Sequence, residues 1–456
     1  MKNNNKFLWL TMIFSVLTMQ ACKKYLEIQP PKNQLTTDKI FADSASANSA
    51  IAGIYVNMYQ SLSLNLASGG LTLYPGLSGD EMAQSATDVN ISQLFNNQIN
   101  PNNTINASLW TSAYKFVYDV NACIEGINAS PNLPVSVKTN LLAEAKQIRA
   151  FLYFNLVNLY GPVPLQRSTD YHVNQSMARF PVDSIYSQII TDVTFAQANL
   201  LKNNMAERAN FYSATALLAK VQLYRKNYVA AESESSKIIG SGIYSLEPNL
   251  NNVFLNSSNE TIWKIIPVFP GFATLEGYFF VPSSTTVAPK YPITGQLNNS
   301  FETGDQRKVK WTNYRIIKGV SYPYPYKYKV GRTTATITEN YSIFRLAEQY
   351  LIRAEARTNQ NNILGAVADL NVIRTRAGLP NTLASDKASL LLAIEKERQS
   401  ELFCEWGNRW FDLQRTNRAD VVLPAVKPNW NHNSILYPIP INEISRNPNL
   451  VQNPGY

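Results

Sequence analysis

The sequence predicts a mainly α protein: a scaffold of paired helices interrupted by one loop-rich, partly β insert. Apolar residues recur at helical spacing through most of residues 106–260 and again through 341–415. Small residues fall where paired helices would touch. Between these regions, Trp263 to Tyr328 loses that periodicity and gathers fourteen aromatics and seven prolines in 66 residues.

The elements follow in chain order. Lys2 and Lys6 form a positive start before Phe7–Met19, a 13-residue run without charge. A spanning helix needs about 20 apolar residues, so residues 1–21 read as a signal peptide. Ala21 before Cys22 resembles a bacterial lipobox, which implies that Cys22 is lipidated and becomes the first mature residue. Residues 22–35 form a tether stiffened by Gln29-Pro30-Pro31. No later apolar run approaches the length of a span, so attachment to a membrane is expected through acyl chains. The body, 36–456, is expected to be one domain in three parts: a helical part over 36–260, an insert over 261–330 and a C-terminal part over 331–456.

Within the body, Asn106 to Asn128, Leu141 to Tyr160 and Ser184 to Leu200 each carry an apolar face at helical spacing. Gly161-Pro162 stops the second. Asn210 to Gly242 fits two helices in about 34 residues and resembles a tetratricopeptide (TPR) unit. Tyr341 to Gly378 reads as a second TPR-like pair, with Arg345 to Ala356 in its first helix. Thr261 to Ile266 reads as a strand opening the insert, and the rest of the insert as loops with short strands.

Composition removes several function classes. Hydrophobic residues make up 45% of the chain, too many for a disordered one. Lys plus Arg is 41 against 32 Asp plus Glu; without Lys2 and Lys6 the balance is 39 − 32 = +7, with no dense basic block, so no nucleic acid is expected. Two histidines and three cysteines leave no His-rich metal centre and no four-cysteine zinc site. No metal or other cofactor is expected. Cys123 and Cys404 read as buried thiols or as one disulfide. Nucleotide-binding, nucleophile-elbow and zinc-protease motifs are absent. The acidic cluster Glu395, Glu397, Glu401, Glu405 and Asp412 alternates with Arg398, Arg409 and Arg415, and Glu405–Arg409, Asp412–Arg415 and Arg345–Glu348 have helix-pair spacing. The cluster therefore reads as structural ion pairs rather than as the paired acids of a glycosidase, and no catalytic residue is assigned.

Six strings in order make a resemblance visible. They are Glu144 to Val157 leading into Leu159-Tyr160-Gly161-Pro162, Arg345 to Ala356, Leu370 to Gly378, Glu397 to Leu402, Gly407 to Arg415, and Leu436-Tyr437-Pro438-Ile439-Pro440 with the end Asn447 to Tyr456. Together they resemble the SusD/RagB family of outer-membrane nutrient-binding lipoproteins. The resemblance implies a SusD-like helical fold with TPR-like units, no enzyme activity, and a place over a SusC-like, TonB-dependent barrel that receives the ligand. That ligand is an oligosaccharide, or a peptide in some members. It further implies a lipid-anchored protein on the outer membrane facing the extracellular side, with Arg149, Arg345, Arg398 and Arg409 anchoring the fold. Lys23 and Lys24 depart from the acidic residues usual after the lipidated cysteine. Family ligand sites lie in variable loops, so no binding residue transfers by motif.

The ligand site is expected in the aromatic insert, at Trp311, Tyr314, Tyr322, Tyr324 and Tyr326, with Tyr278 behind them. Sugars pair flat C–H faces with hydroxyls, and an aromatic plane with polar neighbours suits both. Pro323 and Pro325 would hold alternate rings ready for contact. The loops Ser68–Glu81 and Asn96–Thr104 are the alternative places.

Overall fold

The computed structural model describes residues 37–59, 63–85, 87–333 and 335–456. The expected signal peptide, Cys22 and tether lie outside the described residues. The scaffold is built by helices α1 (Ser44–Tyr59), α2 (Thr104–Ala129), α3 (Val135–Tyr160), α4 (Val182–Asn199), α5 (Phe211–Tyr224), α6 (Tyr228–Ile239), α7 (Leu346–Asn359), α8 (Ile363–Arg376), α9 (Lys387–Leu402) and α10 (Asn408–Arg415). Their starts follow local chemistry. The Asn103 side chain accepts from the Asn106 N–H to begin α2, Asn210 and Ser213 form a capping box on α5, and Asp386 and Ser389 form another on α9. Helix α3 stops at Gly161, whose φ of 70° is open to a residue without Cβ.

From α2 to α8 each scaffold helix packs on the next, and α9 closes the end against α7 and α8. The second half of α3 is buried on every side because α2 and α4 flank it. Arg149 on α3 joins all three: its Nε and Nη2 donate to Asp192 on α4 at 2.8 and 2.9 Å, and its Nη1 donates to Asn121 on α2 at 2.9 Å. The two TPR-like pairs, α5/α6 and α7/α8, stack directly through α6 and α7 although the insert separates them in sequence.

The insert leaves and re-enters the stack through a β stem. Strand β1 (Thr261–Ile265) pairs antiparallel with β4 (Tyr341–Arg345), Lys264 opposite Ser342 and Ile265 opposite Tyr341. This corrects the expected start of the second helix pair. Tyr341 to Arg345 is strand, and the helix begins at Leu346, after an Arg345 with extended backbone. Inside the insert, β2 (Thr312–Ile317) and β3 (Val320–Pro325) form a hairpin. Its two-residue turn has Lys318 and Gly319 at φ 50° and 82°, the positive pair that matches the twist of the strands. The N and O of one strand residue point the same way. The Pro323 carbonyl accepts from the Ile293 N–H at 2.9 Å, so its missing N–H also faces away from β2 and the ladder loses nothing.

Cys123 and Cys404 are separate buried thiols. Burial pushes the Cys123 thiol up to about 12, with Asp119 adding to it, so it is inert at neutral pH.

Candidate ligand site

The site rests on a buried ionic network that fixes the insert to the scaffold. Five cations, Arg307, Lys327, Arg345, Arg374 and Arg376, meet six carboxylates, Glu260, Glu302, Asp305, Glu397, Glu401 and Glu405. Arg345 is the hub. Its Nη1 donates to Glu260 at 2.9 Å and to Glu401 at 2.6 Å, and its Nε and Nη2 grip Glu405, both at 2.9 Å. From the insert, Arg307 donates to Asp305 at 2.8 Å, Glu397 at 2.6 Å and Glu401 at 3.1 Å, and Lys327 pairs with Glu405. Burial alone would raise the Glu401 carboxyl, but Arg376, Arg345 and Arg307 hold it far below the usual carboxylate range. Burial alone would lower the Arg345 guanidinium, but Glu405, Glu401 and Glu260 raise it instead.

Two of the helix pairs read from spacing take other partners. Glu405 pairs with Arg345 and Lys327 rather than with Arg409. Helix α9 has ended at Leu402, and Cys404, Trp406 and Gly407 are left-handed, so residues 405 and 409 share no helix. Arg409 instead grips Asp80 at 2.7 and 2.9 Å. Glu348 pairs with Lys220 at 2.8 Å, because Arg345 turns into the network. Asp412–Arg415 forms as expected at 2.8 Å. Asp412 also binds Arg398 at 2.6 Å, and against the raising effect of burial the two arginines hold its carboxyl at about 2.

The short helix Gln306–Trp311 runs from this network into β2. Arg307 and Trp311, four residues apart, point inward. The Trp311 ring lies over three network cations, 4.7 Å from Lys327 Nζ and 5.8 and 5.9 Å from the guanidinium carbons of Arg345 and Arg376. Its Nε1 donates to the Leu250 carbonyl at 2.9 Å. Lys308, Val309 and Lys310 take the outer side and line a cleft of about 800 Å³ with Asn251, Asn298, Asn313, Tyr314, Tyr326 and Lys329. The Lys329 ammonium donates to the Asn251 side chain and stands 5.4 Å from the Tyr326 ring centre.

The six expected aromatics therefore divide. Tyr314, 59% exposed, and the half-buried Tyr326 line the cleft together. Trp311 and Tyr324 have no accessible surface. This corrects their assignment to the ligand site, since a ring without an open face has nothing to offer a sugar. Tyr322 lies opposite Arg315 on the hairpin face away from Tyr314. Tyr278 sits on the separate helix Leu275–Phe280, where its hydroxyl accepts from Arg332 at 3.2 Å. Of the alternative loops, 68–81 is buried throughout. Residues 97–101 line another cleft of about 600 Å³ with Asn429, Asn431 and Asn433. Spacing missed Lys308, Lys310, Lys329 and the asparagines. A signal for the lysines was present: residues 306–338 hold eight basic residues and no acidic one. Among the described residues no group of three or more His, Cys, Asp or Glu side chains is placed to hold a metal ion.

Two family models match the chain, one for the SusD family over residues 287–456 and one described as starch-binding, associating with outer membrane, over 24–223. SusD-like protein P38 of Formosa agariphila is 24% identical, with 97% of each chain covered. A SusD superfamily protein from Bacteroides vulgatus superposes with a TM-score of 0.80 at 18% identity, over 91% of this chain and all of the other. A laminarin-binding SusD-like protein superposes with a TM-score of 0.76 at 25% identity, over 90% of this chain and 99% of the other. Three of the strings that resembled the family supply Arg345, Arg374, Arg376, Glu397 and Glu401 to the buried network, and with both models matching in order along one helical scaffold, the chain belongs to the SusD family.

Proposed function

We propose that this protein binds oligosaccharides in the cleft of the β2–β3 hairpin and passes them to a SusC-like, TonB-dependent transporter, without chemistry of its own. The observation that carries the reading is the pairing of Tyr314 and Tyr326 with three asparagines and three lysines in one open cleft on a rigid base. Rings take the C–H faces of a sugar, and amides and ammonium groups take its hydroxyls. The description of the second family model and the laminarin-binding relative support a glycan as ligand. The acidic cluster supports the absence of hydrolysis, because Glu397, Glu401, Glu405 and Asp412 are each held by arginine. Tyr314→Ala and Tyr326→Ala should each weaken the bound glycan by about 2 kcal/mol, roughly thirtyfold, in calorimetric titration. Both variants binding like the parent would move the site, most directly to the asparagine-lined cleft at 97–101.

No helix among the described residues is long and apolar enough to cross a membrane. Membrane attachment in this reading comes from lipid on Cys22, on the extracellular side of the outer membrane. Cys22→Ala should shift the protein from the membrane fraction to the soluble fraction. The parent, extracted gently in detergent, should bring a barrel transporter with it. An intact Met1 start in mass spectra of the mature protein would remove the basis for the anchor.

A further inference from the structure

Building on the reading of the hairpin cleft as a glycan site, we propose that its ligand is an anionic glycan carrying carboxylate or sulfate groups, because Lys308, Lys310 and Lys329 surround Tyr314 and Tyr326 in a lining that contains no acidic side chain.

Between Asp305 and Glu339 the chain has eight basic residues and no acidic one. Four of them engage other groups of the fold. Arg307 and Lys327 enter the buried network. Arg315 lies over the Tyr324 ring at 5.5 Å, and Arg332 over Tyr278 at 5.2 Å. Lys318 sits in the hairpin turn. The remaining three, Lys308, Lys310 and Lys329, converge on the cleft, and none forms an ion pair among the described residues. Glu339 forms no ion pair with any of them, although its charge acts on Lys329. Its carboxylate is turned to the backbone N–H groups of Lys329 and Val330, at 2.8 and 3.1 Å, and stays outside the lining. Burial lowers the Lys329 ammonium pKa; Glu339 opposes this and the like charge of Lys310 adds to it.

Three half-buried lysines that line one cleft without an ion pair repel one another, and an entering anion relieves that repulsion. A neutral sugar would gain contact with the Tyr314 and Tyr326 rings and hydrogen bonds from Asn251, Asn298 and Asn313, but would not relieve that repulsion. The lysines are set by the fold. Arg307 and Trp311 face the network, so the side chains between them face the cleft.

The test is calorimetric titration of the mature chain with four probes of matched length. These are an oligogalacturonate, a sulfated galactan oligosaccharide, a neutral glucan oligosaccharide and an oligoglutamate. One acidic glycan should bind about tenfold tighter than the neutral one, and the preference should fade as salt rises from about 0.05 to about 0.5 M. Lys310→Gln should weaken that glycan roughly fivefold, with Lys310→Arg close to the parent. The uronate and sulfate arms tell the two anion sources apart. Equal or tighter binding of the neutral glucan, silent at Lys310→Gln but lost in Tyr314→Ala, would overturn the charge inference and leave the glycan reading standing. Preference for the oligoglutamate would overturn the inference in favour of a peptide. Failure of every glycan to bind would overturn both.

Discussion

Arg345→Ala should cost the fold about 4 kcal/mol or more. The guanidinium contacts Glu260, Glu401 and Glu405 inside the protein, and removing one partner of a buried ion pair leaves charge without solvent or counter-ion, a loss of about 3–5 kcal/mol. Arg345→Lys should recover little of this, because one ammonium cannot reproduce a fork that meets three carboxylates at 2.6–2.9 Å. The pH dependence has a definite sign. Glu401 and Asp412 lie below their unfolded values in the native protein. Their stabilisation is therefore complete above about pH 4–5 and is lost as pH falls through the folded values, so the parent should resist acid until well below pH 4. In Arg345→Ala, Glu401 keeps Arg376 and Arg307 and Glu405 keeps Lys327, but each loses a charge that opposes burial, so their carboxyls move upward. They bind protons more readily when folded, so the deficit against the parent should shrink as pH falls below about 5. Urea unfolding followed by circular dichroism across this range measures both effects. A deficit under about 1 kcal/mol at neutral pH would show that the network does not hold the insert.

Trp311→Ala should be nearly as costly, about 3–5 kcal/mol, since a fully buried indole leaves a large cavity. The loss also removes the ring face over Lys327, Arg345 and Arg376 and the bond to Leu250. This variant separates packing from contact. Its folded fraction should bind glycan with little change in intrinsic affinity, whereas Tyr314→Ala should remain stable and lose affinity. Equilibrium unfolding paired with titration below the unfolding transition reads the two quantities separately. A stable Trp311→Ala that fails to bind would return the indole to the ligand site.

The scaffold was legible because its signals are local. Helices α2, α4, α5 and α6 stand close to the spans that apolar spacing indicates; α3 starts at Val135, a turn and a half before the expected Leu141, and ends at the Gly161-Pro162 stop. Long-range pairing was not legible. Glu405 has an arginine four residues on, and nothing in that spacing shows that residues 404–407 break the helix and send the carboxylate to Arg345. The hairpin was hidden by Pro323 and Pro325, which argue against a strand until the side of the ladder they face is known. Within the insert, aromatic enrichment could not separate the exposed Tyr314 from the buried Trp311. Residues three apart in sequence end up outside and inside, because the chain changes from helix to strand between them.

The β1–β4 stem brings the two ends of the insert together at the edge of the stack, which makes the segment look like a unit that could be exchanged between relatives to graft a new specificity. The ionic network sets a condition on any such graft. Arg307 and Lys327 belong to the transplanted segment, and Glu397, Glu401 and Glu405 belong to the recipient. A donor loop must bring two cations to the same two positions, or Glu397, Glu401 and Glu405 each lose a buried partner and rely on Arg374, Arg376 and Arg345 alone. The exposed Tyr314 carries no such condition, whereas Arg307, on the inward side of the helix before it, does.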